Sequence, residues 1–321
     1  MPLLKIQKAA RLALKDYMGL EESETLLVIA DPKMREIAIA IYEAGVIIAK
    51  EAFYIEMRER EVNGEEPPEQ IADLMKAVDV VVAVTSKSIT HTNARREASK
   101  IGVRVGTMPG ITEETMIRCL NGNIDKVLNI TKRVHDAFQN VSKVKVLAKH
   151  GTNVTFDATN RKSVASTGIL RNIGESGNLP SGEVYIAPIE NSVNGVIAFD
   201  ASIANLGVLT HPVYIEVKNG VIKKISGRGG DARLFGKLVN RYGEKSKTIG
   251  EFGIGTNPYA KVCGEILEDE KVLGTVHFAF GNNISFGGTI DVPFHIDGII
   301  SKPTVYFDDK IIMEDGKLLL E

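Results

Sequence analysis

The 321-residue chain holds two cysteines, Cys119 and Cys263. That is too few for a disulfide framework, and each reads as a small buried hydrophobe rather than a nucleophile or ligand. A reducing cytoplasm is the expected compartment. An excess of either charge is also missing: 39 basic against 41 acidic residues leave a net charge of −2, with no long single-sign run. Neither nucleic acid nor a membrane surface is therefore expected as a partner. No stretch reaches the ~18 uncharged apolar residues of a membrane span. The opening "MPLLKIQKAARLALKDYMGL" carries charges every few positions and reads as an amphipathic helix rather than a signal peptide. Glycine is missing where a dinucleotide fold needs it, because the first strand–helix junction, "VIADPKMRE", has none. The GxG of Gly253 and Gly255 lies in β-rich text with no helix behind it, so a nicotinamide or flavin site is not expected.

What is present divides the chain in two. The length exceeds the ~100–200 residues of one domain, and 44% apolar residues with a mean hydropathy of −0.01 describe a globular protein. Up to about residue 145, apolar runs alternate with helical text: "TLLVIAD", "PKMREIAIAIYEAG", "AKEAFYIEM", "PEQIADLMKA", "DVVVAVTS", "TNARREASKIG". This pattern predicts βαβ units, an α/β, Rossmann-like domain with a parallel sheet over residues 1–145. Of 30 glycines, 23 fall in 151–321, among strand-like segments and turn signals such as Asn219-Gly220 and Asp315-Gly316. Residues 146–321 are predicted to form a β-rich α+β domain. The text 123–144 is predicted to be a helix that links the two.

Histidine is scarce, six in all, yet His277 and His295 stand in apolar strand text with Asp297 two positions after the second. Residues i and i+2 of a strand share a face, so His295 and Asp297 present an imidazole beside a carboxylate. Glu183 opens the strand of "NLPSGEVYIAP" and Glu251 precedes glycine-rich backbone in "IGEFGIGTNP". Each residue alone has an ordinary structural explanation. Together they suggest a site for zinc, cobalt, manganese or ferrous iron. His91 follows an apolar strand, at the start of a helix capped by Thr90 or Thr92, where it could act as a proton shuttle or contact a substrate carboxylate.

The run of "NLPSGEVYIAP", "IGEFGIGTNP", "ILEDEKVLGTVHFAFG" and "HIDG" resembles the metal-binding domain of the aminopeptidase T (M29) metallopeptidases. That resemblance implies two divalent metal ions, zinc or cobalt among the usual ones. The ligands carried over are Glu183, Glu251, His277, His295 and Asp297, with Glu251 either a ligand or the general base. It implies a homodimeric metallo-aminopeptidase that removes N-terminal residues from small peptides with metal-activated water. The chain is shorter than the usual member, and "HFAFGNNISFGG" lacks the tyrosine that follows the first histidine in that family; Ile284 or Phe286 stands nearby. The alternative is a related group, the 2,5-dihydroxypyridine 5,6-dioxygenases, which use one ferrous iron. "SITHTNARREASKIGVRVGTMPGIT" is similar to their N-terminal region, with His91 at the matching place. Their pattern has histidine where this chain has Glu251, and it lacks His277.

Overall fold

The computed structural model describes residues 4–320. The described residues form two compact units, one comprising those up to 124 together with 168–181, the other 125–167 and those from 182 onward.

The first unit is built on β1 (Thr25–Ala30), β2 (Glu51–Glu56), β3 (Val80–Val84), β4 (Arg104–Thr107) and β8 (Ser176–Asn178), all parallel in the order β2-β1-β3-β4-β8. Both β1, "TLLVIA", and β3, "VVVAV", are almost wholly buried. Continuous β-branched text of this kind marks the inner strands of a parallel sheet covered on both faces. The helices are α1 (Lys5–Leu12), α2 (Arg35–Ile48), α3 (Glu69–Met75), α4 (Asn93–Lys100) and α5 (Glu113–Leu120). Thr92 caps α4 and Thr112 caps α5, each accepting from the backbone N–H three residues on.

In the second unit, α6 (Ile124–Ala137) precedes two antiparallel sheets. One sheet has eight strands: β5 (Lys143–Leu147), β6 (Asn153–Asp157), β10 (Asn194–Phe199), β13 (Val213–Lys218), β14 (Val221–Gly227), β18 (Thr304–Phe307), β19 (Lys310–Glu314) and β20 (Lys317–Leu318). The other has seven: β7 (Val164–Ser166), β9 (Glu183–Ile186), β11 (Ser202–Ile203), β12 (Gly207–Val208), β15 (Ile249–Gly255), β16 (Thr275–Gly281) and β17 (His295–Ser301). One hydrophobic core joins Val144, Val154 and Phe199 of the first sheet to Phe252, Phe278 and Ile300 of the second. Phe235 of α7 (Asp231–Val239) packs into the same core. The turn signals act as expected: Asn219 and Gly220 close β13–β14, and Asp315 and Gly316 close β19–β20, all four at positive φ.

The fold class is as the sequence predicts: a parallel α/β sheet, then a β-rich portion. The division of the chain differs from the single boundary placed near residue 145. The chain changes unit at 124/125, 167/168 and 181/182, and the 168–181 segment returns to add β8 beside β4. The linker helix expected over 123–144 is shorter. It ends at Ala137, its Val134 lies in the core of the second unit, and residues 143–147 are strand.

Candidate metal centre

The site occupies one face of the seven-stranded sheet. Four adjacent strands, β9, β15, β16 and β17, run antiparallel, with Gly255 opposite Glu183, Gly253 opposite His277, Glu251 opposite Ala279, Ala279 opposite Asp297 and Gly281 opposite His295. Paired residues of neighbouring strands point to the same side. Glu183, Glu251, His277, His295 and Asp297 therefore share one face. The residues between them, including Val184, Phe252, Val276, Phe278 and Ile296, face the core. Alternation thus places apolar side chains inward and ligand types outward along each strand.

Glycine decides how closely the ligands approach. A Cβ on Gly253 would stand 2.1 Å from His277 Nε2, so only glycine leaves room for the imidazole to lie across β15. A Cβ on Gly255 would stand 2.1 Å from the Val272 carbonyl oxygen. That position lets the backbone at Lys271 and Val272 press against the strand, where Asn257 N–H donates to the Lys271 carbonyl at 2.8 Å.

Two trios of donor atoms result, each with all members within 4.8 Å of one another: Glu183, Glu251 and His277, and Glu251, His295 and Asp297. Glu251 belongs to both. Its Oε1 lies 3.2 Å from His277 Nε2 and its Oε2 3.6 Å from His295 Nε2. His295 Nε2 is 3.5 Å from Asp297 Oδ1. On the other side of the ring, His295 Nδ1 lies 2.9 Å from the Asn282 carbonyl oxygen. Donation to that carbonyl fixes the tautomer and leaves the Nε2 lone pair aimed at the trio, the usual support of a metal-ligating histidine. The trios differ in depth. The His277 side chain is fully buried, whereas that of His295 is 26% exposed.

Burial and crowding set the protonation of the metal-free site. Burial would depress His277, but the hydrogen bond to Glu251 and the charges of Glu183, Glu251 and Glu270 outweigh it and push its pKa up to about 9. Burial likewise opposes the charge on His295, yet Asp297, Glu251 and the Asn282 carbonyl raise it to about 10. Glu251 is raised by desolvation against the pull of the two histidines. Asp297 is also penalised by burial but is held below the usual carboxylate range by His295, His277 and Lys271. Without an ion, the two imidazolium groups serve as counter-charges to the carboxylates.

All five ligand residues expected from the sequence converge here. His91 lies in the other compact unit, exposed, one residue before the cap of α4. Three neighbours of the cluster escaped the sequence reading. Lys271 is buried, with its ammonium 3.0 Å from Glu183 Oε1 and bonded on its other side to Glu270. Burial drives Glu270 up to about 8 against the pull of Lys271. Tyr185 shares the face of Glu183 and stacks edge-on against Phe286, with ring centroids 5.2 Å apart. A signal for Tyr185 existed, its i+2 spacing from Glu183; Glu270 and Lys271 look like surface text in "EDEK".

The donor set fits a divalent ion. The trio of Glu251, His295 and Asp297 combines a pre-oriented imidazole with two carboxylates, suited to iron, manganese, cobalt or zinc. In the deeper trio, Glu183 Oε2 is buried with no hydrogen-bond partner among the described residues. A parallel α/β sheet and a β-rich portion whose sheet face gathers imidazoles and carboxylates define the architecture that carries this cluster. Residues 16–320 match the model of the 2,5-dihydroxypyridine 5,6-dioxygenase (NicX) family, and the chain belongs to that family. Among solved structures it is similar to a 2,5-dihydroxypyridine dioxygenase from Pseudomonas putida KT2440, with TM-score 0.83 and 19% identity over 99% of this chain and 98% of that one. It is also similar to AmpT from Thermus thermophilus, with TM-score 0.74 and 16% identity over 98% of this chain and 99% of the other. No curated protein sequence matches the chain. Among the described residues, no helix is long and apolar enough to cross a membrane.

Proposed function

We propose that the protein is a metal-dependent ring-cleaving dioxygenase acting on a small hydroxylated aromatic or heteroaromatic ring, of the kind its family name describes. The family match over residues 16–320 carries this reading. It favours the ring-cleaving alternative over the peptidase expected from the motifs. Glu251, His295 and Asp297 would hold the ion, since this is the trio with a partly exposed member, His295. A ferrous ion held there would supply the redox chemistry of a dioxygenase, in which both atoms of dioxygen end in the opened ring and the ring itself provides the electrons.

The surrounding residues prepare that trio. Asn282 orients His295, and the Glu251 carboxylate is steadied at its second oxygen by His277. The loop before β17 is held by Glu190, which accepts from Thr289 N–H at 2.7 Å and from Arg161 at 2.5 Å. Arg161 also donates to the Gly287 carbonyl. A fixed loop keeps the Asn282 carbonyl, and therefore His295, in one orientation.

One observation favours a second reading, a two-metal hydrolase: Glu251 is shared by the two trios, as a bridging carboxylate would be. The test is oxygen consumption by the anaerobically iron-loaded protein on addition of 2,5-dihydroxypyridine, with the ring's absorbance followed in parallel. Stoichiometric oxygen uptake with loss of the ring supports the dioxygenase. An inert mixture, together with cobalt- or zinc-stimulated hydrolysis of leucine-p-nitroanilide, would reverse the order of the two readings.

A further inference from the structure

Lys271 is a cation placed beside a metal-ligand trio, in a position the fold constructs deliberately. Its backbone is pinned against β15 because Gly255, the partner of Glu183 in the sheet, has no Cβ. Lys271 N–H donates to the Glu268 carbonyl at 2.9 Å, and Leu273 N–H to the Asn257 carbonyl at 3.1 Å, closing the backbone on both sides. The side chain is 1% exposed. Its ammonium takes Glu183 Oε1 at 3.0 Å and is neutralised on its other side by Glu270.

We propose that the Lys271 ammonium stands in for a second divalent ion, so that the centre takes one ion, at Glu251, His295 and Asp297. This rests on the reading of that exposed trio as a metal site. Three features carry the inference. A divalent ion in the deeper trio would need Glu183 at about 2.0–2.2 Å; Lys271 engages Oε1, which leaves only Oε2, 3.6 Å from His277 Nε2, as a donor. A fixed positive charge in direct contact with that ligand repels a divalent cation beside it. The other trio has no lysine in direct contact: Glu251 and Asp297 make their ion pairs within 4 Å with histidines, and the Lys271 charge reaches Asp297 only from further off. Lys271 is thus a specificity-determining residue that sets the number of ions bound, and it resolves the ambiguity left by the shared Glu251 in favour of a mononuclear centre.

The test is metal stoichiometry, by plasma mass spectrometry and titration calorimetry with Mn²⁺, for the wild-type protein, Lys271→Met and Lys271→Arg. One ion per chain is expected in wild type and Lys271→Arg, and two in Lys271→Met. Two ions in the wild-type protein, or one in a folded Lys271→Met, overturn the role of Lys271 while leaving the exposed trio standing. No ion in the wild type overturns the metal reading and the proposal with it. Because a buried lysine variant can fail to fold, paramagnetic resonance of the wild-type protein, saturated with Mn²⁺ and then desalted to remove unbound ion, supplies an independent readout. The six-line spectrum of isolated Mn²⁺ supports the proposal, and an exchange-coupled multiline spectrum contradicts it.

Discussion

Replacing Gly253 by alanine probes the arrangement of the site without removing any ligand. The added Cβ would stand 2.1 Å from His277 Nε2 and 2.2 Å from Cε1, well inside van der Waals contact. The neighbour is an imidazole that is fully buried, held on β16 directly opposite Gly253 and bonded to Glu251 at 3.2 Å. The ring cannot swing away freely, so the strand or the ring must shift. Overpacking of this kind costs about 1–3 kcal/mol, and loss of the contact with Glu251 adds roughly 1 kcal/mol. A destabilisation of about 2–4 kcal/mol lowers the melting temperature by roughly 4–16 °C in a unit of this size. The assay is thermal melting of the metal-free protein by circular dichroism. Gly236→Ala serves as control: it lies in α7 and meets its nearest side-chain atom, on Ile225, at an ordinary 3.8 Å. That variant should melt at or slightly above the wild-type temperature, because alanine is favoured over glycine inside a helix by about 1 kcal/mol. A Gly253→Ala protein that melts with wild type, and whose His277 ring resonances are unmoved, would refute the packing argument.

Further outcomes follow from the charges and contacts of the cluster. The folded-state pKa values of about 9 for His277 and about 10 for His295 exceed the ordinary 6.5, so their stabilisation is complete below pH ~6.5 and disappears as pH rises through 9 and 10. The metal-free protein should therefore lose melting temperature steadily from pH 7 to 10; a flat or rising profile contradicts the charge assignment. Metal affinity should rise over the same range, because the ion displaces those protons, and calorimetry in buffers of different ionisation enthalpy reads the proton release directly. His295→Ala and Asp297→Ala should each abolish retention of the ion through desalting, and wild-type metal content in both would remove the trio as the binding site.

The cluster was legible because strand geometry is local. His295 and Asp297 sit at i and i+2, and Glu251 and His277 lie in strands whose intervening residues are apolar, so each announces its face without knowledge of the partners. Lys271 was not legible, because its burial depends on the missing side chain of Gly255 and on the pairing of Gly255 with Glu183, which are tertiary facts. For the same reason Gly253 and Gly255 served in the sequence only to argue against a dinucleotide site, whereas in the fold they admit an imidazole and a backbone segment. The return of residues 168–181 to the first unit also left no mark. The strand it contributes, "SGN", is three residues long and has no hydrophobic alternation, and its place beside β4 is set by main-chain pairing from Val105 to Thr107.

The central claim, one catalytic ion held by Glu251, His295 and Asp297, is tested most directly by anomalous diffraction at the iron edge from crystals of the anaerobically loaded protein. The account predicts a single peak per chain among those three side chains, with the Lys271 ammonium still against Glu183. A second peak between Glu183 and His277, or a single peak there instead, would contradict it.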